Sequence, residues 1–99
     1  FKDTAKKVTH DMNGDGVPDI YGTTVGGSDV LDAFMVSNGT NYIKQKDGKS
    51  VFEVDSNGLT VMNYLRDLVT DGAARTTEVN GGYSPTQDIA DFVAGKIGF

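Results

Sequence analysis

Cysteine is absent from this chain, and with it go a disulfide framework, a thiol nucleophile and a cysteine-based zinc site. The single histidine, His10, has no evident serine partner, so neither a catalytic triad nor a zinc centre is supported. No apolar run approaches the roughly 20 residues that a membrane-spanning helix needs. Positive charge is scarce too: 9 Lys and Arg stand against 14 Asp and Glu, for a net charge of −5. Nucleic acids and anionic membrane surfaces are bound by a concentrated basic face, and scattered lysines do not make one, so both partner classes are disfavoured.

What is present has the make-up of a globular protein, with 37 % hydrophobic and 23 % charged residues. At 99 residues the chain forms one small domain at most. Its stability should be modest, because a domain of this size buries only about two-thirds of its unfolded surface. It opens at Phe1 without an initiator Met or a polybasic start, and Lys96-Ile97-Gly98-Phe99 reads as a strand cut short. The expectation is a single partial domain over residues 1–99, the central segment of something longer.

The 13 glycines and 2 prolines divide the chain into short elements without an internal repeat. Phe1, Ala5 and Val8 lie on one face of a first helix, with Lys2, Lys6 and Lys7 outside it, and a loop follows. Ser28 is expected to cap a second helix in which Val30, Leu31, Phe34 and Met35 recur at helical spacing until Asn38-Gly39 stops it. Tyr42 to Lys46 and Lys49 to Val54 flank Asp47-Gly48, a dipeptide suited to a type I′ turn, which predicts a β-hairpin. Asp55 caps the longest helix, whose apolar stripe is Leu59, Val61, Met62, Leu65, Leu68 and Val69, ended by Asp71-Gly72. Residues 73 to 83 have no periodicity. Ser84-Pro85-Thr86-Gln87 is a capping box with proline at the first helical position, and it opens a fourth helix whose Ile89, Phe92 and Val93 are expected to face inward. The fold class expected is α+β, mainly helical with about four helices and one β-hairpin.

The sharpest chemical signal is Asp11-Met12-Asn13-Gly14-Asp15-Gly16-Val17-Pro18-Asp19. Alternate residues of such a loop can turn inward, and calcium wants about six to eight oxygen ligands. The side chains of Asp11, Asn13, Asp15 and Asp19 with the Val17 carbonyl can supply them at EF-hand spacing, and Gly16 sits where that loop turns sharply. Gly22 stands where the bidentate Glu of an EF-hand belongs, so a weak site is expected. The competing reading is a set of Asx turns without metal. Three crowded carboxylates repel one another, which favours a cation.

Other candidates carry less. The carboxylate pairs Asp29/Asp32, Glu53/Asp55 and Asp88/Asp91 read as helix-start acids favoured by the macrodipole and not as glycosidase acids. Gly26-Gly27-Ser28 leads into a helix N-terminus that can present backbone N–H groups to a ligand, or be a plain turn into the helix. Tyr83 lies between a Gly-Gly run and the fourth helix, where an aromatic ring can stack on a sugar or pack under the loop. Asn38-Gly39-Thr40 matches a glycosylation sequon but coincides with a helix stop.

Taken in order, these pieces resemble the central part of the family 1 extracellular solute-binding proteins, the maltodextrin-receptor-like group. The likeness spans nearly the whole chain. It rests on Ala5-Lys6-Lys7-Val8-Thr9, the loop from Asp11 running on to Tyr21-Gly22, Ser37-Asn38-Gly39, Asp47-Gly48-Lys49 with Phe52, Tyr64-Leu65-Arg66-Asp67-Leu68-Val69, Asp71-Gly72 and Asp91-Phe92-Val93-Ala94-Gly95-Lys96. The resemblance implies a subdomain of a periplasmic-binding-protein-like α/β lobe. The parent would be a non-catalytic receptor, extracellular, a cell-surface lipoprotein or periplasmic, that closes on a sugar or oligosaccharide and delivers it to an ABC transporter permease. It places Gly26, Gly27, Ser28 and Tyr83 beside the cleft, and some relatives carry a structural calcium loop at a position like Asp11 to Asp19. The family's hinge and other lobe are missing here.

Two further readings stand beside it. An autonomous calcium-stabilised module of a secreted or surface protein usually repeats its loop, and only one occurs here. A small hydrolase lacks a nucleophile-base pair. Helices that normally cover a parent sheet would leave apolar stripes open, so a dimer of the isolated segment is an expected partner state.

Overall fold

The computed structural model describes residues 1–76 and 84–99. In chain order the elements are α1 (Lys2–Val8), β1 (Thr23–Val25), α2 (Gly27–Ser37), β2 (Ile43–Lys46), β3 (Lys49–Phe52), α3 (Ser56–Thr70), β4 (Ala74–Thr76) and α4 (Pro85–Val93). The fold class is α+β, with four helices among the described residues. None of them is long and apolar enough to cross a membrane. Two compact units form, residues 1–26 with 67–99, and residues 27–66.

In the first unit β1 and β4 pair in parallel, with Thr23 opposite Ala74 and Val25 opposite Thr76. Tyr21 makes a further parallel bridge to Ile97. Neither strand was expected, because three residues are too few for alternation to register and each partner lies far away in sequence. Ala5, Leu68, Ala73, Ala74 and Ile97 are buried. Gly22 is buried with them, and a Cβ there would fall on the backbone of Ala5. Only a glycine lets α1 approach the chain leading into β1 this closely.

The fourth helix begins as expected, with the Ser84 hydroxyl accepting the Gln87 N–H and Pro85 following it. The reciprocal half of the capping box is missing, because the Gln87 amide donates to Asp91 instead, at 2.9 Å. Its orientation reverses the expectation that the apolar residues face inward. Ile89, Phe92 and Val93 are 66, 56 and 81 % exposed, whereas Asp91 is 5 % exposed. The reason is Arg75 on β4, which pairs with Asp91 and brings the acidic face of the helix inward.

The second unit holds α2, the hairpin and most of α3. Met35, Val61 and Leu65 are buried, while Leu59, placed in the stripe by spacing, is 56 % exposed. Asp47 and Gly48 both have positive φ, 51° and 72°, as a type I′ turn requires. The hairpin register sets Ile43 opposite Phe52 and Lys46 opposite Lys49. Asp55 caps α3 by accepting the Gly58 N–H at 2.8 Å. Its other contacts, with Thr40 at 2.8 Å and Lys44 at 2.7 Å, tie the end of α2 and strand β2 to the same carboxylate. Ser28 does not cap α2; the helix starts one residue earlier, at Gly27, which puts Ser28 in its first turn.

Leu68 is fully buried, so Leu68→Ala is expected to lose about 2–5 kcal/mol in urea unfolding. Exposed Ile89→Ala should stay within about 0.5 kcal/mol of the parent. Equal losses at the two positions would mean that α4 buries its apolar face after all.

Candidate functional site

The Asp11–Asp19 loop is closed at its base by backbone bonds: His10 N–H donates to Ile20, and the Asp19 and Ile20 N–H groups donate to the His10 carbonyl, all at 2.9 to 3.0 Å. Inside it each side chain named from the sequence turns toward the backbone. Asp11 Oδ1 accepts the N–H of Gly14 at 2.6 Å and of Asn13 at 3.1 Å, and its Oδ2 accepts that of Gly16 at 2.8 Å. Asn13 Oδ1 accepts from Asp15 at 2.9 Å, Asp15 Oδ1 from Val17 at 2.8 Å, and Asp19 Oδ2 from Met12 at 2.8 Å. The amides of Gly16 and then Gly14 hold the Asp11 carboxyl below the usual carboxylate range.

These are the Asx turns of the competing reading, and their oxygens are the donors of the metal reading. Among the described residues no three Asp, Glu or His groups converge as a ready metal cluster. The donor chemistry nevertheless suits a hard cation. Every donor is oxygen, and a carboxylate oxygen has two lone pairs, so one that accepts a single amide, as Asp11 Oδ2 does, can also ligate.

The loop is anchored by its neighbours. Thr9 Oγ1 donates to the Ala5 carbonyl at 3.0 Å and accepts the Gly22 N–H at 3.0 Å. Position 22, where an EF-hand would place its glutamate, is committed to the contact with Ala5. The missing ligand therefore has a packing cause that spacing alone could not reveal. Next to the loop lies an open depression of about 550 Å³ whose lining includes Asn13, Asp19, Tyr21, Arg75 and Lys96.

Gly26, Gly27 and Ser28 follow the carboxyl end of β1 directly, and Gly27 has φ +76°. Tyr83 lies outside the described residues. The acid pairs are engaged structurally, and more specifically than a helix dipole requires. Asp29 lies in the first turn of α2, but Asp32 accepts the Tyr42 hydroxyl at 2.5 Å and Glu53 pairs with Lys46. Asp88 lies in the first turn of α4, but Asp91 lies toward the opposite end, where the dipole disfavours a carboxylate. That mismatch was the one signal in the sequence for its Arg75 partner.

No family model matches the chain, and neither a curated protein nor a solved structure does.

Asp11 has its carboxyl lowered from an ordinary value of 3.8. Its contribution to stability is therefore complete above that value and is lost as pH falls through the lower folded value. NMR titration should place the Asp11 carboxyl midpoint below 3.8. The destabilisation by Asp11→Asn should be full near neutral pH and shrink in acid. A midpoint at or above the ordinary value would remove the amide cradle from the account.

Proposed function

We propose that this chain is a non-catalytic segment of a sugar-binding receptor serving an ABC importer, part of its α/β lobe, with the Asp11–Asp19 loop as a calcium-stabilised clasp. The observation that carries the reading is the parallel pairing of β1 with β4 and of Tyr21 with Ile97. Parallel neighbours cannot be joined by a tight turn; here the connections run through α2 and α3, and through α4. That is the building pattern of an α/β lobe. An autonomous calcium module has no need of it.

Ligands of open α/β sheets bind outside the carboxyl ends of the strands. Gly26, Gly27 and Ser28 stand in that position after β1, and their N–H groups at the start of α2 suit sugar hydroxyls. Tyr83 supplies a ring for stacking. The parent receptor works extracellularly, at the cell surface or in the periplasm, with a membrane permease as its partner, and it breaks no bond in its solute.

Asp11, Asn13, Asp15, Asp19 and the Val17 carbonyl would hold the calcium ion. When bound, the cation offsets the repulsion among the carboxylates. Without a twelfth-position glutamate the affinity belongs in the weak range of about 10⁻⁴–10⁻³ M found for extracellular calcium modules.

A thermal melt followed by circular dichroism, in excess EDTA and then in calcium with magnesium as control, tests the clasp. At tenfold above its Kd a ligand of the folded state adds about 1.4 kcal/mol, which is a rise of roughly 5–10 °C for a domain of this size. Asp15→Ala should remove the rise. No calcium-specific rise would reduce the loop to a self-bonded turn. Saturation-transfer NMR with a linear malto-oligosaccharide tests the receptor reading separately: transfer should occur and Tyr83→Ala should diminish it. A folded chain that receives no transfer from any sugar would remove Gly26, Gly27, Ser28 and Tyr83 as contacts.

A further inference from the structure

We propose that α4 is fastened to its unit by charge and not by apolar packing, and that it detaches ahead of the rest of that unit when the charge is neutralised or screened. The buried residue on α4 is Asp91, while Ile89, Phe92 and Val93 lie mostly in solvent. Its inward contacts are polar. Arg75 on β4 donates to Asp91 Oδ2, and Gln87 Nε2 donates to Asp91 Oδ1 at 2.9 Å. Thr24 on β1 donates to Asp88 Oδ2 at 3.3 Å, and Asp88 Oδ1 lies 3.8 Å from the same guanidinium, buried with no hydrogen-bond partner among the described residues.

Two carboxylates thus face one cation across the seam between α4 and the parallel strands. Among the described residues, the charged groups that face Asp91 are Arg75 from β4, Lys96 from the turn after the helix, and Asp88 from its own helix; β1 contributes the neutral Thr24. A nine-residue helix is not stable by itself in water, so losing the seam means unfolding α4. Neutralising Asp91 takes away the direct partner of Arg75 and leaves the guanidinium with Asp88 at 3.8 Å, so the seam acts as a latch that this one carboxylate holds shut. Arg75 holds the Asp91 carboxyl below its ordinary value of 3.8. The latch therefore persists through mild acid and is lost as pH falls through that lower folded value.

Native-state hydrogen exchange read by mass spectrometry tests this on the whole chain, comparing a peptide over α4 with one over the last turn of α3. In Asp91→Asn near pH 6, α4 exchange is expected to accelerate roughly tenfold or more with α3 unchanged. Phe92→Ser should leave both unchanged. In the parent chain, stepwise acidification below the ordinary value of 3.8 should speed α4 before α3, once the intrinsic rate is corrected. If Phe92→Ser loosens α4 as much as Asp91→Asn does, or if α4 and α3 accelerate together, the latch is refuted. Should Asp91→Asn fail to fold, the acid series on the parent chain decides by the same criterion.

Discussion

The first unit is arranged around one close approach, that of the Ala5 backbone to Gly22. With no Cβ between them, α1 lies against the chain entering β1, and Thr9 at the end of the helix can satisfy the Gly22 N–H. The next residue, His10, clamps Ile20. Both ends of the Asp11–Asp19 loop are thus set by packing that owes nothing to a metal. The loop's own carboxylates then organise its interior by accepting amides. A loop formed this way is preorganised, yet position 22, twelfth from Asp11, has no room for a side chain. The contact that anchors the loop is the same one that denies it a ligand at that position.

Acids serve elsewhere as struts. Asp55 accepts from a helix-start amide, a hydroxyl and an ammonium, so that one carboxylate joins α3, the end of α2 and β2. Lys44, first among these donors, holds the Asp55 carboxyl below the usual range. Asp71 pairs with Lys2 at 2.7 Å, tying the end of α3 to α1. A chain with net charge −5 can carry this many acids in structural positions because each is met by a cation, a hydroxyl or a row of amides.

Most features encoded within about four residues were legible in the sequence, the cap expected at Ser28 and the reciprocal half of the box at Ser84 being the exceptions. The turn at Asp47-Gly48, the caps at Asp55 and Ser84, and the stops at Gly39, Gly72 and Gly95 all depend on local dihedral preference and short hydrogen bonds. What depended on distant partners was not. β1 and β4 exist because residues about fifty apart pair, and three-residue strands leave no periodic trace. The orientation of α4 follows from Arg75, which spacing cannot reveal, and Leu59 shows that an apolar residue at helical spacing need not be buried. The candidate loop was legible in its donors but not in its anchoring, since nothing in the motif announces that Gly22 is occupied by Ala5.

Among the described residues the hairpin of β2 and β3 is a sheet of two strands, so each strand is also an outer edge there. Ile43 and Phe52 are exposed on it, a combination that invites another chain to add a strand. Lys44, Lys46 and Lys49 stand along the same ribbon, and Lys46 opposite Lys49 places like charges in register beside the turn. A strand arriving there meets ammonium groups before it can align with the ribbon's edge. The local repulsion, offset within the ribbon by the bond from Lys46 to Glu53, guards the fold against fibrillar self-templating.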